Sequence, residues 1–359
     1  AFCTVRLSEK GERSLCQNNK MGAHMPQQTR LFGEAALEKG KFRIVSVDTC
    51  TVSCGDIDFS RIEALGEAKF YDVLTPDELA SAAADADALL VNKAEVTRGL
   101  LEKCPRLKYV GTYSTGYNNI DLAALKERGI ICCNVPGYST NAVCQHVFAL
   151  LFMFVGRTDR YAASVAAGDW IKSKSFCYLP WSMGEVYGKT MGIYGYGNIG
   201  RAVARAAEAF GMKVIAHTRS VPQNCPYELV SADEIFERSD YLSLHCPLSP
   251  ATEKIVNART LALMKPSAVL INTARGGLVD EYALAGALNG GKIAGACTDV
   301  LTREPMERGN PLLTAKNCII TPHIAWGPRE TRARLVDIVA ENLAAFLAGR
   351  PQNVVPYNK

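Results

Sequence analysis

No stretch of the 359-residue chain reaches the ~20 consecutive apolar residues that cross a bilayer. The nearest candidate, Val143 to Val155, is interrupted by Gln145 and His146 and reads as a buried helix, so no membrane partner is expected. Charge of one sign is equally scarce. Forty Lys and Arg face 36 Asp and Glu, a formal charge of +4 with no dense basic block, which argues against nucleic acid as a partner. The 13 cysteines are odd in number and lack disulfide-like spacing, and no signal peptide is recognisable. They read as free thiols in a reducing cytoplasm. Zinc spacing, internal repeats and low-complexity tracts are absent too, and no metal ligands are assigned. What remains is a chain 48% hydrophobic and 21% charged, able to bury one large core or two medium ones, with 29 glycines whose positions need explaining.

Residues 1–40 are polar, without sustained period, and Gly22-Ala23-His24-Met25 looks like an expression linker. Glu9 and Glu12 count against a transit peptide. The segment reads as a tail, an expression scar or an imperfect start, and carries no functional expectation.

From Phe42 onward, short apolar runs alternate with helix-like segments. Phe42–Val47, Ala88–Val91, Leu107–Val110 and Gly129–Cys132 read as strands, with helices near 60–65, 76–84, 96–103 and 119–127, the last two capped by Thr97 and by Asn118 or Asn119. This pattern predicts a parallel sheet covered on both faces. A long helix, 141–160, is apolar on more than one face and is expected between domains or subunits. A second α/β unit follows, with strands at Thr190–Tyr194, Lys213–Ala216, Tyr241–Leu244, Ala268–Ile271, Ile293–Ala296 and Cys318–Ile320. A closing helix runs from about Pro328 to Leu347, stopped by Gly349 and Pro351.

Gly195-Tyr196-Gly197-Asn198-Ile199-Gly200 directly follows a strand and opens an apolar helix, Ile199–Phe210. In that context the pattern predicts pyrophosphate binding. Gly195 serves the turn, Gly197 leaves room for phosphate, Gly200 permits close packing, and free N–H groups hold the anion. An NAD site usually places Asp or Glu about 20 residues further on. Here the second strand ends in His217-Thr218-Arg219 and the next acid is Glu228. Arg219 could pair with a 2′-phosphate and Thr218 could hydrogen-bond it, so NADP(H) is favoured, with NAD(H) left open.

Three segments follow later strands, where ligands of an open parallel sheet collect. They are Asn272-Thr273-Ala274-Arg275-Gly276-Gly277, Asp299 to Pro305, and Thr321-Pro322-His323-Ile324-Ala325-Trp326. Arg275, Glu304 and His323 can converge there. The set suits reduction of a 2-oxo acid: a dinucleotide hydride, His323 as proton donor, Glu304 to orient the imidazole, and Arg275 to hold the carboxylate.

With these segments in view, the chain over about 41–359 resembles the D-isomer-specific 2-hydroxyacid dehydrogenases, most of all the bacterial glycerate dehydrogenases, or hydroxypyruvate reductases. Val91-Asn92-Lys93, Ser114 to Asn119, Asn134 to Tyr138, His245-Cys246-Pro247-Leu248, the glycine turn and the Arg, Glu and His segments carry the likeness. The resemblance implies an α/β fold in which a Rossmann domain, 141–326, is inserted into a flavodoxin-like substrate domain made of 41–140 and the returning helix in 327–359. It also implies a homodimer packed partly through the long helix. It assigns Asn92, Lys93, Ser114, Thr115 and Gly116 to the substrate, with backbone N–H groups and a side chain meeting the carboxylate. Cys246, Pro247, Thr273, Ala274, Asp299 and His323 join the glycine turn, Tyr196, Asn198, Ile199, Thr218 and Arg219 around the cofactor, Asp299 at the nicotinamide carboxamide. Trp326 is left between pocket wall and burial, and His24, His146 and His217 are given no catalytic role. A D-lactate dehydrogenase, a short phosphoglycerate dehydrogenase, a nicotinamide-sensing corepressor and a flavoprotein are the competing readings.

Overall fold

Short apolar runs become most of the strands of two all-parallel sheets. The computed structural model describes residues 42–220 and 223–357; the N-terminal tail lies outside the described residues. The first sheet holds β1 (Arg43–Ser46), β2 (Glu67–Phe70), β3 (Ala88–Val91), β4 (Tyr109–Thr112) and β5 (Ile131–Cys133), in the order β2-β1-β3-β4-β5. That is the doubly wound flavodoxin-like order, with its switch point between β1 and β3. β3 and β4 are buried at every position, as central parallel strands should be. β2 has no counterpart among the predicted strands. It alternates Glu67 and Lys69 outward on an edge, so no apolar run betrays it. The predicted strands at 107–110 and 129–132 each begin two residues late in the structure.

The second sheet holds β6 (Thr190–Tyr194), β7 (Lys213–His217), β8 (Glu228–Leu229), β9 (Tyr241–Leu244), β10 (Val269–Asn272), β11 (Gly295–Thr298) and β12 (Cys318–Ile320). Its order, β12-β11-β10-β9-β6-β7-β8, is the Rossmann arrangement with one strand added at the edge. Here the order reverses between β6 and β9, so ligands belong in the crevice beyond Tyr194 and Leu244.

Local chemistry sets the helices. In α1 (Pro76–Ala83), Thr75 and Glu78 form a reciprocal capping box and proline occupies the first turn. Thr97 caps the following helix as expected, but Asp121, not Asn118 or Asn119, caps the next one by accepting from Ala124 N. The long helix is shorter than predicted. α2 (Thr140–Gly156) ends where Arg157 turns left-handed at φ 48°, and α3 (Thr158–Ala166) starts afresh. α4 (Asn198–Ala209) packs under β6. α5 (Arg329–Leu347) lies on the first sheet, where Leu335, Val336, Val339, Ala340 and Leu343 join Ile44, Leu90 and Tyr109 in one core. Each of its large side chains contributes about 1.5–3 kcal/mol of hydrophobic free energy. Gly349, at φ 71°, closes the helix. No helix among the described residues is long and apolar enough to cross a membrane, and their eleven cysteines are all free thiols.

Candidate active site

The crevice of the second sheet is shaped by glycine. Gly195 turns at φ 101°, and a Cβ there would sit 2.5 Å from the Cys246 amide, just past β9. A Cβ on Gly200 would strike the Gly195 carbonyl oxygen, which is why α4 can approach β6 so closely. Around Gly197, by contrast, a Cβ would meet nothing within 4 Å, and the first N–H groups of α4 open onto that space. An anion fits such a cradle. Asn198 is exposed beside it, whereas the Tyr196 ring is buried against Arg201 and Tyr227, so only the Tyr196 backbone faces the turn.

The strand ends beyond the turn carry polar atoms without partners. Thr273 Oγ1, after β10, and His245 Nε2, after β9, are buried and unbonded within the protein. Burial pushes the His245 pKa down to about 3, so the ring is neutral. Cys246 is buried and Pro247 exposed along the same edge. At the end of β7, Arg219 is exposed, Thr218 Oγ1 donates to the Ser220 carbonyl, and Glu228 is held by Arg238 in a paired contact at 2.7 and 2.8 Å. Among the described residues no acid pairs with Arg219 at that corner. Orphaned acceptors and donors, an open glycine cradle and a basic corner together fit a dinucleotide.

The first sheet contributes its own switch point. Asp48, left-handed at φ 62° and only 3% exposed, sits at the end of β1. Its Oδ2 accepts from the N–H groups of Asn92, Lys93 and Ala94 at 3.1, 2.9 and 2.7 Å. Those N–H groups are thus engaged by Asp48, and the buried Asn92 amide donates to Thr51 Oγ1. The Lys93 side chain is what the turn presents. Burial lowers its pKa, opposed by Glu304 and reinforced by Arg275, so the ammonium shares the electrostatic field of both. Asn119 ties the neighbouring loop to the same turn through the Ala94 carbonyl. In that loop Ser114 Oγ donates to the Gly116 carbonyl and Thr115 Oγ1 to the Val135 carbonyl.

Arg275 joins the two sheets. Its Nη1 donates to the Ala274 carbonyl at 2.7 Å, while Nη2 lies against Gly116. Asn272 ties the backbone after β10, its Oδ1 accepting from Ala274 N and its Nδ2 donating to the Arg275 carbonyl. Gly276 behind it abuts the Leu301 backbone so closely that no Cβ would fit.

His323 and Glu304 meet at 2.7 Å through Nδ1 and Oε2, and Glu304 Oε1 accepts from Leu301 N. Burial alone would raise the Glu304 pKa. His323, the Leu301 N–H and Lys93 outweigh it and hold the carboxyl below its ordinary value. With Nδ1 engaged, Nε2 is the atom left to exchange a proton. Asp299, 1% exposed, is more deeply committed than the sequence suggested. Its carboxylate accepts from Thr321 Oγ1, Ile324 N and Ala325 N, and its carbonyl from His323 N. Trp326 packs against the first-sheet core with α5 rather than standing free in the cleft.

Residues 148–325 match the model of the D-isomer specific 2-hydroxyacid dehydrogenase NAD binding domain. The chain is 43% identical to the hydroxypyruvate reductase of Blautia hydrogenotrophica over 321 residues, 87% of this chain and 99% of the relative. It is 44% identical over 289 residues to the glycerate dehydrogenase of Methylorubrum extorquens, covering 80% and 91% of the two. The chain belongs to the D-isomer-specific 2-hydroxyacid dehydrogenase family. A solved NADPH-dependent glyoxylate/hydroxypyruvate reductase from Sinorhizobium meliloti, in complex with NADP and malonate, superposes with a TM-score of 0.76 at 30% identity, covering 88% of this chain and 97% of that one. This dehydrogenase is therefore an NAD(P)-dependent oxidoreductase acting on CH–OH groups, built on a Rossmann sheet and a substrate sheet.

Sequence reasoning about this dehydrogenase gave no role to Asp48 or to His146, whose Nε2 lies 3.0 Å from Thr321 Oγ1. Asp48 ends the first apolar strand, and switch-point logic applied to both sheets would have found it. His146 is one of the two polar residues that interrupt the long apolar helix, and that interruption was its signal.

Proposed function

We propose that this dehydrogenase reduces hydroxypyruvate or glyoxylate to the corresponding D-2-hydroxy acid, NADPH being preferred to NADH. The observation that carries the reading is the Glu304–His323 pair, 2.7 Å apart, in a cleft where Arg275 reaches across to Gly116. The names of the relatives point the same way. The two separate sheets support a division in which 41–140 with 327–359 handle the substrate and 141–326 the dinucleotide.

Gly195 to Gly200, with Thr218, Arg219, Cys246, Pro247, Thr273, Ala274 and Asp299, would hold NAD(P)H, whose chemistry when bound would be hydride donation to the carbonyl carbon. Arg275 binds the substrate carboxylate through its fork and favours negative charge growing on the carbonyl oxygen. Ser114, Thr115 and Gly116 line the opposite side, and Lys93 adds a second cation that draws small anions into the cleft. His323 Nε2 gives its proton to that oxygen, and Glu304, bonded to Nδ1, aims the ring. In the reverse direction Nε2 takes the hydroxyl proton.

We place the enzyme in the cytoplasm as a homodimer. A groove of about 570 Å³ between α2 and α4, lined by Cys144, Phe148, Phe152 and Phe210, supports self-association. Initial rates with NADPH and NADH against hydroxypyruvate, glyoxylate, pyruvate and 3-phosphohydroxypyruvate test the reading. The expected result is highest kcat/KM for hydroxypyruvate or glyoxylate with NADPH. Turnover confined to pyruvate or the phosphorylated acid overturns the substrate class. Tight dinucleotide binding with no turnover of any acid favours a sensor over an enzyme.

A further inference from the structure

His323 sits in the left-handed region at φ 55°, a conformation a histidine rarely adopts unless its surroundings enforce it. The enforcement is local and complete. His323 N donates to the carbonyls of Asp299 and Thr321, and both Asp299 carboxylate oxygens hold the next two N–H groups, Ile324 and Ala325. Thr321 Oγ1 donates to Asp299 Oδ1 at 2.6 Å. That hydroxyl has one proton, so the His146 Nε2 at 3.0 Å from Thr321 Oγ1 must be the donor in its own contact. The same nitrogen lies 3.4 Å from Asp299 Oδ1. His146 comes from α2, remote in sequence, and its side chain is 17% exposed.

We propose that His146 is a positioning residue for the reaction: through Thr321 and Asp299 it locks the left-handed turn that aims His323. The inference rests on the reading of His323 as proton donor given above. Among the described residues His146 makes no hydrogen bond to His323; it fixes the hydroxyl and carboxylate from which the turn hangs. Thr321 lies two residues before His323, so a small rotation at Thr321 moves the imidazole, and displacement on the order of 1 Å costs about a hundredfold in rate. The long helix therefore becomes part of the catalytic apparatus.

The test compares His146→Leu, His146→Gln, Thr321→Val and the double variant H146L/T321V. His146→Leu should lower kcat roughly tenfold or more and leave the NADPH Kd within about twofold. His146→Gln, whose amide nitrogen can stand where Nε2 does, should restore most of the rate. The double variant should be no worse than the poorer single one, because both cut the same link. In the dinucleotide-free protein, the 13Cε1 NMR signal of His323, assigned with a His323→Asn variant, should shift in His146→Leu and return in His146→Gln. Unchanged kcat in His146→Leu, additive losses in the double variant, or an unmoved His323 signal would each overturn the proposal. If the wild-type protein turns over no 2-oxo acid, the functional reading fails, and the NMR comparison still decides the positioning role.

Discussion

Arg275 Nη2 stands 2.7 Å from where a Cβ on Gly116 would have to be, so a glycine from one sheet makes room for a guanidinium from the other. Gly116→Ala should leave the fold intact, because the end of an arginine can give way. The guanidinium would move off its aim, and KM for the 2-oxo acid should rise roughly tenfold, the loss of about one charge-assisted hydrogen bond. NADPH affinity should stay the same. Steady-state rates and a fluorescence titration of NADPH check both halves.

That contact marks where the sequence stopped being legible. Arg275, Glu304 and His323 could be placed at strand ends because apolar strands alternating with helices announce a parallel sheet, and such sheets gather ligands at one edge. The glycine turn was legible for the same reason. Asp48 was not, since an aspartate after a strand looks like any polar residue until its three N–H partners, distant in sequence, are in place. Asp299 was read only in part, because its bonds to Thr321, Ile324 and Ala325 depend on how β11 and β12 lie side by side. Edge strand β2 stayed hidden behind its charges, and the break at Arg157 behind an unbroken apolar pattern.

Glu304 makes a prediction about pH. Its carboxyl is held below the ordinary carboxylate range, so the stabilisation from its pairing is fully present above that range and is lost only as pH falls through the lowered value. Across neutral pH it stays an anion beside His323. Glu304→Gln removes that titrating carboxylate from His323 Nδ1. The decline in rate that the wild type shows as acid protonates Glu304 should then be absent, and kcat at neutral pH should fall roughly tenfold. Full pH–rate profiles in both directions would show it, and superimposable profiles would remove Glu304 from the mechanism.

Arg219 should set the choice of dinucleotide. Among the described residues it pairs with no acid, and Glu228, the next one along, is occupied by Arg238. Arg219→Ala should raise KM for NADPH about tenfold and leave NADH almost unaffected; Arg219→Glu should reverse the preference outright by repelling the 2′-phosphate. Parallel kcat/KM values for the two dinucleotides measure this directly.

The helix α5 has one more consequence, for the order in which the chain acquires structure on the ribosome. The five strands of the first sheet are synthesised early, yet Leu335, Val336, Val339 and Leu343, which cover one of its faces, come long afterwards. In the interval the whole second sheet emerges, with every one of its strands contiguous in sequence. The later half of the molecule should therefore complete itself first, and the earlier half should wait with an apolar surface open to chaperones until the helix arrives.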